Sequence, residues 1–153
     1  MAKKTFNEKL HDSKDMPVVH ICNDPKSFEK YGGNRMLIAA PIQYDEIMRK
    51  IPEGQVITNG EIRNYLAKQY QADFTCQLTA GIFISIAARA SEERNTDKTP
   101  YWRTLKTKGE LNEKYPGGID NQKMLLENEG HEIIQKGKKF FVKNYEEKLF
   151  QLD

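Results

Sequence analysis

Apolar residues along the chain come in short bursts, and their spacing changes from one stretch to the next. Tyr44, Ile47, Met48 and Ile51 recur every three or four positions, which predicts an amphipathic helix over 42–51. Pro52-Glu53-Gly54 ends it, and Gln55-Val56-Ile57 has the makings of a brief strand. Thr58-Asn59-Gly60-Glu61 has the form of a capping box, in which a hydroxyl and a carboxylate satisfy the orphan amides of a helix start. Ile62, Tyr65, Leu66 and Tyr70 continue that helix on one face. Thr75 is the next N-cap candidate, and it opens a segment to about Glu93 that is apolar nearly all round, so a mostly buried helix is expected. Its first turn is small and polar (Thr75, Gln77, Thr79, Ala80), which lets that end approach something closely.

Two helices joined by a short turn, the second beginning with small residues, form a helix-turn-helix pattern. Buried helical hairpins share it, so periodicity alone leaves nucleic-acid binding open. Further on, Asp120 is a cap candidate for a helix through Lys123, Leu126 and Glu129, with Gly130 as its stop. Glu132–Gln135 and Lys139–Val142 flank Lys136-Gly137-Lys138 as a hairpin, and a short helical turn is expected within 145–150. A hairpin beside a helix-turn-helix would be a wing. Residues 1–36 read as an irregular extension with a short helix near Phe6–His11 and an apolar run at Val18–Cys22. The division expected is 1–36, 37–130 and 131–153.

With 153 residues, the chain suits one core, and 38% hydrophobic with 30% charged residues describes a well-solvated globular protein. No apolar run reaches the roughly 20 residues of a membrane span, and MAKKTFNEKL lacks the apolar stretch of a secretory signal. Cys22 and Cys76 have no metal-ligand or CxxC spacing, so free thiols, no metal, no cofactor and a reducing, cytoplasmic setting are expected. The net charge of +2 divides as +2, −1 and +1 over 1–36, 37–130 and 131–153. Within the middle block, Lys98, Arg103, Lys106, Lys108, Lys114 and Lys123 outnumber Glu110, Glu113 and Asp120, which gathers positive charge around one loop.

That loop, residues 99–118, holds the only tryptophan, Trp102, together with Tyr101, Tyr115, two prolines and three glycines. Stiff turns and large aromatics in a polar segment are typical of an ordered functional loop.

Taken in order, IPEGQVITNGEI, the Thr79-Ala80-Gly81 triplet, Pro100-Tyr101-Trp102-Arg103, Gly109-Glu110-Leu111, Gly117-Gly118 and KMLLENEG resemble the DNA-binding, active-site domain of O6-alkylguanine-DNA alkyltransferases. The resemblance covers 41–130 and not the flanks. It implies a mainly α fold with small β elements, a helix-turn-helix or winged-helix-like arrangement placed in the minor groove, and a modified guanine flipped into a pocket. Family members accept the alkyl group on the cysteine of a Pro-Cys-His-Arg motif, as a thiolate activated by histidine. Here Tyr101 and Trp102 stand in those two places. A phenol has a pKa of about 10 and an indole N–H is no base, so alkyl transfer is not expected. Glu129 matches the glutamate that supports the family's histidine, and here it has no imidazole to orient.

The resemblance is closest in kind to the alkyltransferase-like proteins, which also lack the cysteine and bind damaged DNA as monomers without repairing it. It places Asn59, Thr75, Gln77, Leu78, Thr79, Ala80 and Arg103 toward DNA, and Tyr101, Trp102 and Tyr115 at the lesion pocket. Leu78 stands where the family has an arginine finger, and an apolar side chain can still wedge between bases. Asn59 replaces a usual tyrosine, and the usual Asn-Pro hinge after the second helix is missing. Tyr101 and Trp102 either stack on a flipped base or fill the vacated site, and Tyr115 either lines that pocket or packs the loop. Arg103 either pairs within the protein or meets a phosphate.

Three functions follow from the sequence. One is a non-catalytic binder of double-stranded DNA serving repair, with a repair-protein partner. The second is a protein-interaction module that kept the fold and lost lesion binding. The third is a surviving transferase that uses Cys76, the one thiol near a helix start.

Overall fold

The computed structural model describes residues 4–152. A 17-residue helix, α5 (Gln77–Glu93), is the axis around which the rest is built. Its inward face is Ala80, Ile84, Ala87, Ala88, Ala90 and Ser91, all buried. Alanines on a helix face allow neighbouring backbones to come close, and α1 (Phe6–Leu10) and α3 (Pro41–Met48) pack there. Tyr44, Met48, Ile62, Leu66 and Tyr101 complete this core. The expectation of a mostly buried helix fails at its first two turns, where Leu78 is 73% exposed and Ile82 49%.

The helix-turn-helix is α4 (Asn59–Gln69), the short strand β4 (Phe74–Thr75) and α5. Thr58 caps α4, its hydroxyl oxygen accepting from the Glu61 amide at 3.3 Å. The expected box is only half formed, because the Glu61 carboxylate accepts from the Thr58 hydroxyl rather than from the Thr58 amide. Thr75 does not cap α5. Its register in a parallel pair with β2 (Arg35–Ile38) draws it into the sheet, and Cys76 takes the cap position without a capping bond. The Thr75 hydroxyl instead donates to the Arg63 carbonyl at 2.7 Å.

Residues 4–36 are built into the fold rather than irregular. Strand β1 (Val18–Ile21) pairs antiparallel with β2, giving the order β1-β2-β4, and α2 (Pro25–Tyr31) joins them under an Asp24 cap. Only five residues long, α1 is too short to be stable alone. It is held by Thr5 and Glu8 in a capping box, and by Glu93 of α5, which accepts from the amides of Phe6 and Asn7 at 2.9 and 3.0 Å. Its Leu10 is fully buried in the main core.

A second, smaller core of Val56, Leu105, Leu111, Leu126 and Val142 lies beneath the loop. It gathers β3 (Ile57–Thr58), β5 (Thr104–Leu105), α6 (Gly118–Asn128) and the hairpin of β6 (Ile133–Lys136) and β7 (Lys139–Val142). The hairpin lies where the pattern placed it and packs on α6 and on the turn at Thr107–Gly109. Asp120 lies in the first turn of α6 and does not cap it. Gly117 does, in the left-handed region at φ 80°, where a Cβ would stand 2.5 Å from the Asn121 side chain. Among the described residues no helix is long and apolar enough to cross a membrane.

Candidate functional site

The parallel pairing of β3 with β5 sets Ile57 against Thr104 and Thr58 against Leu105. It fixes the aromatic loop beside the start of α4, so the loop and the helix-turn-helix form one surface. Two different environments meet there, one packed shut and one open.

The closed part is the 3₁₀ turn Tyr101–Arg103. Tyr101 is 2% exposed, with its ring edge-on to Trp102 (centroids 5.4 Å apart) and to Tyr115 (5.3 Å). Its hydroxyl donates to Glu92 at 2.8 Å and accepts from the Asn121 amide at 3.3 Å. Burial, and then the Glu92 carboxylate, push this phenol above its ordinary pKa, so it stays protonated and is no nucleophile. Tyr115, also 2% exposed, donates to the Thr104 carbonyl at 2.8 Å. Trp102 touches both cores and closes the seam between them. Tyr101 and Tyr115 are thus packed into the interior, while Trp102 is half-buried.

Glu129 is not left without a partner. Trp102 Nε1 donates to it at 3.0 Å, and Arg103 donates through Nη2 at 2.6 Å and Nε at 3.0 Å. Arg103 Nη1 reaches the Ile51 carbonyl at 2.7 Å. The guanidinium lies at the site but is committed inward through Nε, Nη1 and Nη2 and is only 14% exposed. For Glu129, burial raises the carboxyl pKa, but the hydrogen bonds from Arg103 and Trp102 outweigh it and hold the pKa below the usual range. Nearby, His131 is buried with neither ring nitrogen hydrogen-bonded to a described residue. Burial first, then the Lys148 charge, lowers its pKa, so the ring is neutral.

The open part is the outward stripe of α5. Gln77 and Gly81 form one i, i+4 pair on it, Leu78 and Ile82 the other, and all four are exposed. Beside the stripe is a cleft of about 130 Å³ whose lining includes Asn59, Arg63, Gln77, Gly81, Lys106 and Glu110. Asn59 Oδ1 is buried there without a hydrogen-bond partner among the described residues. Lys106 is steered by Glu113 at 3.3 Å and Glu110 at 3.7 Å.

The residues expected to face DNA therefore divide. Gln77 and Leu78 are exposed, Asn59 and Thr79 half-buried, and Ala80 forms the floor of the cleft at 2% exposure. Thr75 and Arg103 are turned inward. Arg63 and Ile82 were missed, although each lies four residues after a residue already named. Lys106 figured only in a charge count, and Gly81 only in a motif. Cys76 holds the α5 cap position with a free thiol and has no place in the 3₁₀ turn.

No protein-family model matches the sequence, and no curated protein matches it significantly. Solved structures that are similar include two complexes with DNA. One is S. pombe ATL in complex with DNA, 23% identical over 73% of this chain and 94% of that chain, with a TM-score of 0.54. The other is S. pombe Atl1 in complex with damaged DNA containing O6-carboxymethylguanine, 21% identical over the same shares, with a TM-score of 0.50. At these identities the likeness establishes the fold, which is mainly α with small β elements.

Proposed function

We propose that this chain, which has the fold of the alkyltransferase-like structures, is a non-catalytic DNA-binding protein that grips duplex DNA from the minor groove. The observation that carries this reading is the bare stripe of α5. A helix-interior glycine costs about 0.5–1 kcal/mol relative to alanine. At Gly81 a Cβ would find no protein atom within 4 Å, so nothing inside the molecule calls for glycine. Close approach of an external backbone does call for it. Leu78 and Ile82 flank that position as apolar contacts, and Arg63 and Lys106 at the adjoining cleft supply cations suited to phosphates. Both similar structures are complexes with DNA. The protonated phenol of Tyr101 and the lack of a thiol in the turn argue against alkyl transfer.

Anisotropy titration of the full chain against plain and O6-methylguanine duplexes tests the reading. Binding at low salt that weakens steeply with added salt is expected, because phosphate contacts release counterions. Absence of binding to either duplex at low salt would sink it.

A second surface favours a protein partner as well. Phe28, 58% exposed, lines a cleft with Cys22, Asn23, Asp24, Pro25, Glu29 and Asn34, and Ile21, 54% exposed, ends the edge strand β1 next to it in sequence. Exposed apolar pairs at a sheet edge are a common seat for an extended segment of another chain. This supports recruitment of a repair protein through the N-terminal part. The paired substitution I21S/F28S should abolish capture of that partner in pull-downs while leaving duplex binding intact. Equal capture by the variant would refute this role for the patch.

A further inference from the structure

Resting on the DNA-binding reading, we infer that the preferred target is a duplex with one base step already opened, such as an abasic site or an unpaired base, rather than one carrying a modified base that is still stacked.

Extruding a base from a duplex breaks its stacking and its pairing. Proteins that do so offset the loss with a pocket that stacks on the base and hydrogen-bonds its edge. In this chain the space behind the loop is taken. Tyr101 and Tyr115 are each 2% exposed and lock edge-on to one another. The polar groups of the three aromatics are already engaged: the Tyr101 hydroxyl with Glu92 and Asn121, the Tyr115 hydroxyl with the Thr104 carbonyl, and the Trp102 indole with Glu129. None of these three side chains has a donor left over to read a base. A flipped nucleotide would have to displace a packed, satisfied aromatic cluster.

The apolar wedge on the other side is equally unsuited to replacing a lost base pair. Leu78, 73% exposed, can enter a base step, but it has no atom that hydrogen-bonds the orphaned partner. Ile82, one turn further along, extends the wedge as a purely apolar ridge. Such a surface gains most where no stacked base has to be removed and no pair has to be replaced. An abasic site meets both conditions, and a mispaired base meets them in part.

The test is an anisotropy titration of the full chain against three duplexes of one sequence: intact, O6-methylguanine-containing, and carrying a tetrahydrofuran abasic analogue. The abasic duplex should bind at least about tenfold tighter than the intact one, since the disruption that a wedge must otherwise cause is already present. Leu78→Ala, a change at an exposed position, should cut that advantage to under about threefold by weakening abasic-duplex binding more than intact-duplex binding. Equal affinity for intact and abasic duplexes overturns the inference and leaves the DNA-binding reading standing. Preference for O6-methylguanine over the abasic duplex overturns it as well, because it requires the aromatic cluster to open. No binding to any of the three at low salt removes both.

Discussion

Removing the Glu129 carboxylate is the sharpest probe of the aromatic turn. In the fold Glu129 is 7% exposed and Arg103 14%, joined by contacts of 2.6 and 3.0 Å, with Trp102 as a third member at 3.0 Å. Deleting one partner of a buried ion pair leaves the other charge stranded, at a cost of about 3–5 kcal/mol. The lower end applies here, because Arg103 keeps its bond to the Ile51 carbonyl and retains some contact with water. Glu129→Ala should therefore lose about 3 kcal/mol, equivalent to a fall in Tm of about 9 °C for a chain of this size. Glu129→Gln keeps one acceptor and should lose about 2 kcal/mol. Trp102 is the only tryptophan and sits in the network, so urea unfolding followed by its fluorescence reports stability and local environment together. The folded carboxyl binds a proton less readily than the unfolded one. Its contribution is thus complete above the unfolded pKa of about 4.3 and fades as pH falls through the folded value. The gap between native protein and Glu129→Ala should be full at neutral pH and narrow in strong acid. A loss under about 1 kcal/mol at neutral pH, or a gap independent of pH, would mean that the three groups behave as an ordinary solvated pair.

Other outcomes follow from the same geometry. His131 has a lowered pKa in the fold, so protonation favours the unfolded chain, and stability should decline as pH falls below about 6.5. His131→Leu should flatten that part of a pH–urea profile at little cost at pH 8, since the ring has no hydrogen-bond partner to lose. Gly81→Ala should raise stability by about 0.5–1 kcal/mol while weakening duplex binding severalfold, measured by thermal melts and anisotropy on the same sample. Leu10→Ala should cost about 2–4 kcal/mol in urea unfolding, as a core position does and an appended segment does not. Incubation with O6-methylguanine duplex should leave the intact mass unchanged. A methyl adduct mapped to Cys76 or Cys22 would revive the transferase reading.

Local pattern was enough for much of the chain. Apolar spacing located α3, α4 and α5, Thr58 announced its helix, and Lys136-Gly137-Lys138 announced the hairpin, because each depends on residues within a turn or two. That the loop carries Tyr101 and Trp102 and no thiol was likewise plain from the sequence, since the chemistry of a side chain travels with its identity. The sequence by itself thus determined which elements form and that the loop carries no thiol. Only the tertiary structure decided what those residues do together. Pairing of β2 with β4 took Thr75 from the helix cap into the sheet. Pairing of β3 with β5 brought the loop against α4. Glu129 acquired Trp102 and Arg103 from a segment distant in sequence, and α1 acquired its capping carboxylate from the far end of α5. Packing of α1 and α3 took up one face of α5 and left Leu78, Gly81 and Ile82 bare. Periodicity shows that a helix is apolar. It does not show which of its apolar faces the rest of the chain will cover, because that depends on where segments distant in sequence come to lie.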